Sequence, residues 1–163
     1  MNFQYLDSPI GRLRLVSNGA QLTNIEFAGQ YSEDDGRETC DAVLASCGKQ
    51  LTEYFAAQRQ HFELPLAARG TAFQQAVWAA LALIPYGAVR SYRDIAHSIG
   101  NPAAVRAVGA ANGRNPLPIV VPCHRVIGSN GTLTGFAGGL QAKAYLLQLE
   151  GALGGNRHLS QEQ

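Results

Sequence analysis

Cys123 is the residue in this chain best equipped to do chemistry. It sits in Ile119-Val120-Val121-Pro122-Cys123-His124-Arg125-Val126-Ile127, where an apolar run delivers it, a proline fixes the bend, and His and Arg follow at once. A nearby imidazole or guanidinium lowers a thiol pKa, and a base beside a thiol is the ingredient list of nucleophilic catalysis. Adjacency along a chain is not contact, because successive side chains of a strand point to opposite faces. A buried structural cysteine is therefore the competing reading. Cys40 and Cys47 lie seven residues apart and are read as small apolar groups on one helix face with Val43 and Leu51. Three cysteines form no complete disulfide framework. The Cys and His spacings match no zinc pattern, so no metal is expected. His61 and His158 have polar neighbours and are read as surface residues, as is His97, for which a phosphate contact is the alternative.

A second candidate is a pair of helices joined across Gly100-Asn101-Pro102, a helix-turn-helix pattern. Its second helix, Ala103 to Asn112, holds one long side chain, Arg106, among Ala, Val and Gly. Reading bases in the major groove takes several long polar side chains. Small residues instead let a backbone approach another surface closely, either a neighbouring helix or the floor of a shallow DNA groove. The charge is divided to match. Residues 1–70 carry six Lys/Arg and nine Asp/Glu, while residues 71–163 carry seven and three, within a chain whose net charge is only +1. The basic excess lies wholly in the second half, where a polyanion could dock.

The elements that must position these residues can be read from periodicity. Residues 2–6, 12–16 and 22–27 read as an antiparallel meander, with turns at Ser8-Pro9-Ile10-Gly11 and Asn18-Gly19. A helix is predicted from about Glu38 to Ala57, followed by a linker over 58–70 that can hold a short strand. Thr71-Ala72-Phe73-Gln74 forms a capping box, behind which Phe73, Val77, Leu81 and Ile84 make an apolar face. Ser91 to Asp94 caps the next helix, which Gly100 ends. Asn101 and Pro102 are read as the N-cap and first residue of the third helix, which runs to about Ala111. Ile119–Val121 is read as a short buried strand, Gly135–Gly139 as a glycine-rich loop without a phosphate-binding fingerprint, and Leu140 to Glu150 as a final helix stopped by Gly151. The 163 residues, 46% of them apolar, suit one compact domain or two small ones. No apolar run approaches the ~20 residues of a membrane span, and Met1 to Tyr5 lacks a signal peptide's pattern. A cytoplasmic location and no membrane partner are expected.

Taken together these motifs resemble the O6-alkylguanine-DNA alkyltransferases. Pro122-Cys123-His124-Arg125-Val126-Ile127 is similar to that family's active-site signature. Phe73 to Trp78, Ile84-Pro85-Tyr86-Gly87, Ser91-Tyr92, Arg106-Ala107-Val108-Gly109, Asn112, Asn115-Pro116, Gly138-Gly139-Leu140, Lys143 and Leu146 to Gly151 resemble it in order and spacing. The likeness is strong over about 71–151 and covers the first seventy residues in outline. It implies an α/β (α+β) chain: an N-terminal small antiparallel sheet with a helix, ribonuclease H-like, over 1–70; a helical, winged-helix-like domain with the helix-turn-helix over 71–155; and a tail, 156–163.

The resemblance also implies roles. Cys123 accepts the alkyl group, His124 deprotonates it through a water, Glu150 orients the imidazole, and Asn115 braces the turn that carries the cysteine. Tyr92 helps rotate the damaged nucleotide and hydrogen-bonds the guanine, and Arg106 fills the vacated place in the stack. Ala104, Val105, Ala107 and Gly109 belong to the helix in the minor groove, and Val126, Phe136 and Ala137 line the base pocket. The implied function is irreversible, single-turnover transfer from O6-alkylguanine, and more weakly O4-alkylthymine, in double-stranded DNA, without a cofactor. A monomer is expected, with cooperative assembly along DNA as the alternative. Phe136 stands where many members have Tyr, and the small Ala137 predicts room for alkyl groups larger than methyl. The rivals are a non-catalytic lesion binder, in which Trp replaces the cysteine, a helix-turn-helix regulator, and a thiol hydrolase. Cys123 opposes the first, the scarcity of base-reading side chains over 103–112 the second, and the lack of any oxyanion-hole signal the third.

Overall fold

The computed structural model describes residues 1–32 and 38–152, so His158 and the 156–163 tail lie outside the described residues. The chain divides into two compact units, Met1–Arg69 and the part from Gly70 onward.

In the first unit β1 (Asn2–Ser8), β2 (Gly11–Ser17) and β3 (Leu22–Glu26) form the antiparallel meander read from the sequence. Ser8 pairs with Gly11 at the first turn, where Gly11 takes a φ of +107° that favours glycine. Leu13, Leu15, Leu22 and Ile25 bury one face of the sheet beneath helix α1 (Ala42–Phe55), which contributes Leu44, Cys47, Leu51 and Tyr54. Each such buried side chain supplies roughly 1.5–3 kcal/mol of burial energy. The helix begins four residues later than the sequence pattern predicts. Asp41 caps it, its Oδ1 accepting from the Leu44 N–H at 2.8 Å, and its other oxygen also accepts from Asn2 and Ser17. An aspartate that satisfies an orphan helix N–H ends the helix where it stands. The pairing of two cysteines on one face is thereby corrected: Cys47 is buried, but Cys40 precedes the cap, is exposed and contacts Gln4. Within the 58–70 linker, Leu66 makes the short strand-like bridge, lying parallel to Leu22.

The second unit is mainly helical: α2 (Ala72–Ala82), α3 (Tyr92–Ser98), α4 (Val105–Gly113) and α5 (Leu140–Leu149). The predicted capping box of Thr71 with Gln74 is present, and the predicted cap at Ser91 is likewise a capping box, closed with Asp94. Val77, Trp78 and Leu81 of α2 meet Val108 and Ala111 of α4 in the core, and the Trp78 indole N–H donates to the Ala111 carbonyl at 2.8 Å. Helix α4 starts later than predicted. Asn101 to Ala104 form a turn closed by the Ala104 N–H on the Asn101 carbonyl, and Ala104 is the cap, with no side-chain hydrogen bond. Ile119–Val121 is not a strand but a turn. Ile119 has a φ of +75°, and the Val121 N–H bonds the Leu117 carbonyl at 2.8 Å. A branched residue in the left-handed region is strained, and here its side chain is buried at 1% exposure, so packing holds it there.

Two short strands position the chemistry. β4 (Arg90–Ser91) runs parallel to β5 (Val126–Ile127), with Arg90 opposite Val126 and Ser91 opposite Ile127. Tyr92 follows β4 directly. A 3-10 turn, Cys123–Arg125, precedes β5 directly. Pairing the strands therefore sets the start of α3 beside the cysteine turn. Behind β5, Ile127, Leu133 and Leu147 form a small apolar cluster that fixes α5 and the segment leading to it. Among the described residues no helix is long and apolar enough to cross a membrane.

Candidate active site

The 3-10 turn places Cys123, His124 and Arg125 on successive corners, which removes the alternation that a strand would impose. All three are buried. The turn is held from outside its own backbone. Asn115 Nδ2 donates to the Val121 carbonyl at 2.8 Å while its Oδ1 accepts from the Leu117 N–H at 2.9 Å, and Asn112 Nδ2 donates to the Cys123 carbonyl at 3.4 Å. Asn115 thus spans the turn before the cysteine, and Asn112 adds a second contact to it.

His124 is wholly buried, and its Nε2 lies 2.7 Å from Glu150 Oε2. Its Nδ1 is also buried and takes no hydrogen-bond partner among the described residues. Burial pulls the imidazole below its ordinary 6.5, while the hydrogen bond and charge of Glu150 pull the other way. A neutral ring that donates from Nε2 carries its lone pair on Nδ1, which makes that atom the proton acceptor. Burial pushes the Cys123 thiol up, against a lowering hydrogen bond from Asn115 and the charge of Lys143. Cys123 at rest is therefore a thiol that needs a base.

Glu150 caps α5 and carries more than the histidine. Arg125 grips it with two prongs, Nε to Oε1 at 2.8 Å and Nη2 to Oε2 at 3.0 Å, and its Nη1 donates to the Ile84 carbonyl at 2.7 Å. The Ile84-Pro85-Tyr86-Gly87 segment closes this site. Tyr86 stacks on the Arg125 guanidinium at 5.7 Å, and the Gly87 N–H points at Glu150 Oε1 at 3.5 Å. Gly87 has a φ of +83°, which favours glycine, and a Cβ there would press on the Glu150 carbonyl at 3.2 Å. Sequence reasoning noted Arg125 only for its charge beside the thiol and missed its hold on Glu150.

Tyr92, half-buried at the start of α3, has its pKa raised chiefly by burial, with a lowering hydrogen bond from Thr134 and the charge of Cys123 adding to the rise. Lys143 lies beside it. This lysine is wholly buried, its Nζ donates to the Thr134 carbonyl at 2.8 Å and sits 5.9 Å from the Tyr92 ring centre, and burial brings its pKa down to about 8. Lys143 and Thr134 received no role from the sequence. The signal for Lys143 was its place on the apolar stripe of α5, at three- and four-residue spacing from Leu140, Leu146 and Leu147.

The other expected residues divide by access. Val105, Arg106 and Ala107 are exposed on α4, and Ala104 is partly so at its cap. Gly109 faces the Tyr92 ring, where a Cβ would sit 3.9 Å from the nearest ring atom. Val126 is wholly buried, Phe136 is half-buried and Ala137 is exposed. A groove of about 760 Å³ between α2 and α3, lined by Ala76, Ala80, Leu83, Ile95 and Ile99, includes none of the expected site residues. Among the described residues no group of three His, Cys, Asp or Glu side chains could hold a metal.

Comparison with known proteins follows the same two-part division. Residues 1–68 match a family described as 6-O-methylguanine DNA methyltransferase, ribonuclease-like domain, and residues 72–152 match its DNA binding domain. The methylated-DNA–protein-cysteine methyltransferase of Mycobacterium tuberculosis is 49% identical over 92% of each chain. The constitutive enzyme of that name from Bacillus subtilis is also 49% identical, over 88% of this chain and 92% of its own. The crystal structure of Mycobacterium tuberculosis OGT in complex with DNA superposes with a TM-score of 0.86 at 47% identity, covering 93% of this chain and 94% of that one.

Proposed function

Because the chain belongs to the 6-O-methylguanine DNA methyltransferase family, we propose that its buried Cys–His–Glu–Arg site reverses alkylation of DNA directly, Cys123 taking the alkyl group from O6-alkylguanine. The observation that carries this reading is the geometry at His124. Glu150 Oε2 lies 2.7 Å from Nε2 and Nδ1 is buried with no partner among the described residues, so a neutral ring with its proton on Nε2 offers Nδ1 to the thiol proton.

The steps balance. The Cys123 proton passes through a water to His124 Nδ1, and the imidazolium is stabilised by Glu150, which Arg125 fixes in place. The thiolate attacks the alkyl carbon in line, a C–S bond forms, and the C–O bond breaks with its electron pair going to the guanine. The Tyr92 hydroxyl donates to that developing charge, the kind of aimed donor that stabilises a leaving anion. The product is a thioether, which nothing in the site can hydrolyse, so each chain acts once.

A lesion on a base edge is out of reach inside a duplex, so the nucleotide must be extruded at a cost of a few kcal/mol. Arg106, exposed on α4 among small side chains, is suited to fill the place it leaves. The same small residues suit α4 to the minor groove, with Ala104, Val105, Ala107 and Gly109 along it. Val126, Phe136 and Ala137 then border the extruded base. O4-alkylthymine is a weaker substrate. The protein works as a monomer in the cytoplasm, a reducing compartment that keeps Cys123 a thiol. Titration with excess O6-methylguanine duplex tests the reading: uptake stops at one equivalent per chain, whereas continued turnover contradicts it.

A further inference from the structure

We propose that Thr134 is a positioning residue for alkyl transfer, its hydroxyl holding the Tyr92 phenol oxygen while the Tyr92 O–H donates a hydrogen bond to the departing base. The inference rests on the alkyl-transfer reading above and adds to it a residue that no part of that reading uses.

Three hydrogen bonds meet at this threonine. Its Oγ1 donates to the Tyr92 oxygen at 3.1 Å, the Tyr92 O–H donates to its carbonyl at 3.3 Å, and Lys143 Nζ donates to the same carbonyl at 2.8 Å. The longest of the three is the one that must break when the Tyr92 proton turns toward a substrate. Breaking it leaves no orphaned acceptor, because Lys143 still satisfies the carbonyl. The bond from Oγ1 does not break. It strengthens as negative charge grows on the phenol oxygen, since hydrogen bonds to charged groups are stronger than those between neutral ones. Its effect therefore falls mainly on the transition state and raises the rate, not the affinity for DNA.

The threonine is fixed for this purpose. Leu133 before it is wholly buried in the cluster with Ile127 and Leu147, and the Gly128 to Thr132 turn is closed by the Gly128 N–H on the Thr132 carbonyl at 2.9 Å. Gly109 has no side chain to press on the ring, and even a Cβ there would only reach ordinary contact at 3.9 Å, so the phenol's position is left to Thr134.

The test measures single-turnover transfer to Cys123 and duplex affinity in the full-length protein. Thr134→Val keeps the shape and removes the hydroxyl. It is expected to slow transfer by about 3- to 30-fold with affinity unchanged, and Thr134→Ser is expected to restore most of the rate. In a Tyr92→Phe background the Thr134→Val change is expected to alter the rate by less than about twofold, as a shared pathway requires. The inference is overturned if Thr134→Val reacts like the unaltered protein, if Thr134→Ser is as slow as Thr134→Val, or if the loss is undiminished in the Tyr92→Phe background. If Thr134→Val does not fold, Thr134→Ala read in the same two backgrounds decides between the same outcomes. Absence of any adduct on the unaltered protein would instead sink the alkyl-transfer reading itself.

Discussion

Arg125 and Glu150 meet in a buried two-pronged pair, 2.8 and 3.0 Å, and the same carboxylate carries His124 at 2.7 Å. The pair makes the histidine's partner immovable. Both side chains are almost wholly removed from water, so neither charge tolerates the loss of the other.

Removing one partner should therefore cost more than removing both. Arg125→Met is expected to destabilise the second unit by roughly 3–5 kcal/mol, and the Arg125→Met/Glu150→Leu double variant by clearly less. Urea unfolding of the three proteins checks this. A double variant no more stable than Arg125→Met contradicts the paired account.

The pH profile follows from the burial of His124. Its pKa lies below 6.5, so the single-turnover rate is expected to stay level through neutral pH and to fall only below 6.5. Glu150 stabilises the protonated ring, so Glu150→Gln should push that acid limb lower still and slow transfer about 10- to 100-fold. The same shift affects folding. Below 6.5 the unfolded chain takes up the proton first, so stability declines as pH drops through that window. Rates from pH 5 to 8 decide, and an acid limb above 6.5 contradicts the account.

Lys143 sets stability against function. Its pKa moves from 10.5 when exposed to about 8 when buried. Between those values the unfolded chain holds a proton that the folded chain lacks, so stability rises with pH across the window, and below it the full penalty applies. Lys143→Met should therefore stabilise the protein at pH 7, by an amount on the order of 2 kcal/mol, with a gain that shrinks above pH 8. It also removes the cation that favours the Cys123 thiolate, so transfer should slow about tenfold. Thermal melts at pH 7 and about pH 10, paired with rates, check both halves. A variant less stable at pH 7 contradicts the burial penalty.

The division between what could and could not be read from the sequence follows from the length scale of each signal. The capping box at Thr71, the cap at Ser91 and the tight turns of the three-strand meander depend on neighbours within four residues, and they appeared as read. The start of α4 was misread because Asn101-Pro102 suits both a helix start and a turn, and the turn that formed leaves Ala104 as the cap. Ile119 could not be read as left-handed, since only the packing around it holds that conformation. Cys123 and His124 stood out from their own neighbours, with their roles supplied by the resemblance, while Asn115, Tyr92 and Glu150 were named through the resemblance alone. Arg125 and Thr134 were not, because their partners, Glu150 and Tyr92, lie 25 and 42 residues away.

Arg106 separates a wedge from a phosphate contact. It is exposed, so Arg106→Ala should change stability by no more than about 0.5 kcal/mol. Transfer from duplex DNA should slow while transfer from the free alkylated base does not. A side chain in the stack releases few counterions, so the salt dependence of binding should stay nearly the same, whereas a phosphate contact would lower the slope by about 0.9. Unchanged duplex repair would sink the wedge role.

Intact mass and peptide mapping after mixing with O6-methylguanine duplex test the central claim most directly. The account predicts that the protein gains the mass of one methylene group, CH2, confined to the peptide that contains Cys123, and that Cys123→Ser gains nothing. An adduct on Cys40 or Cys47, or an adduct that survives in Cys123→Ser, would contradict it.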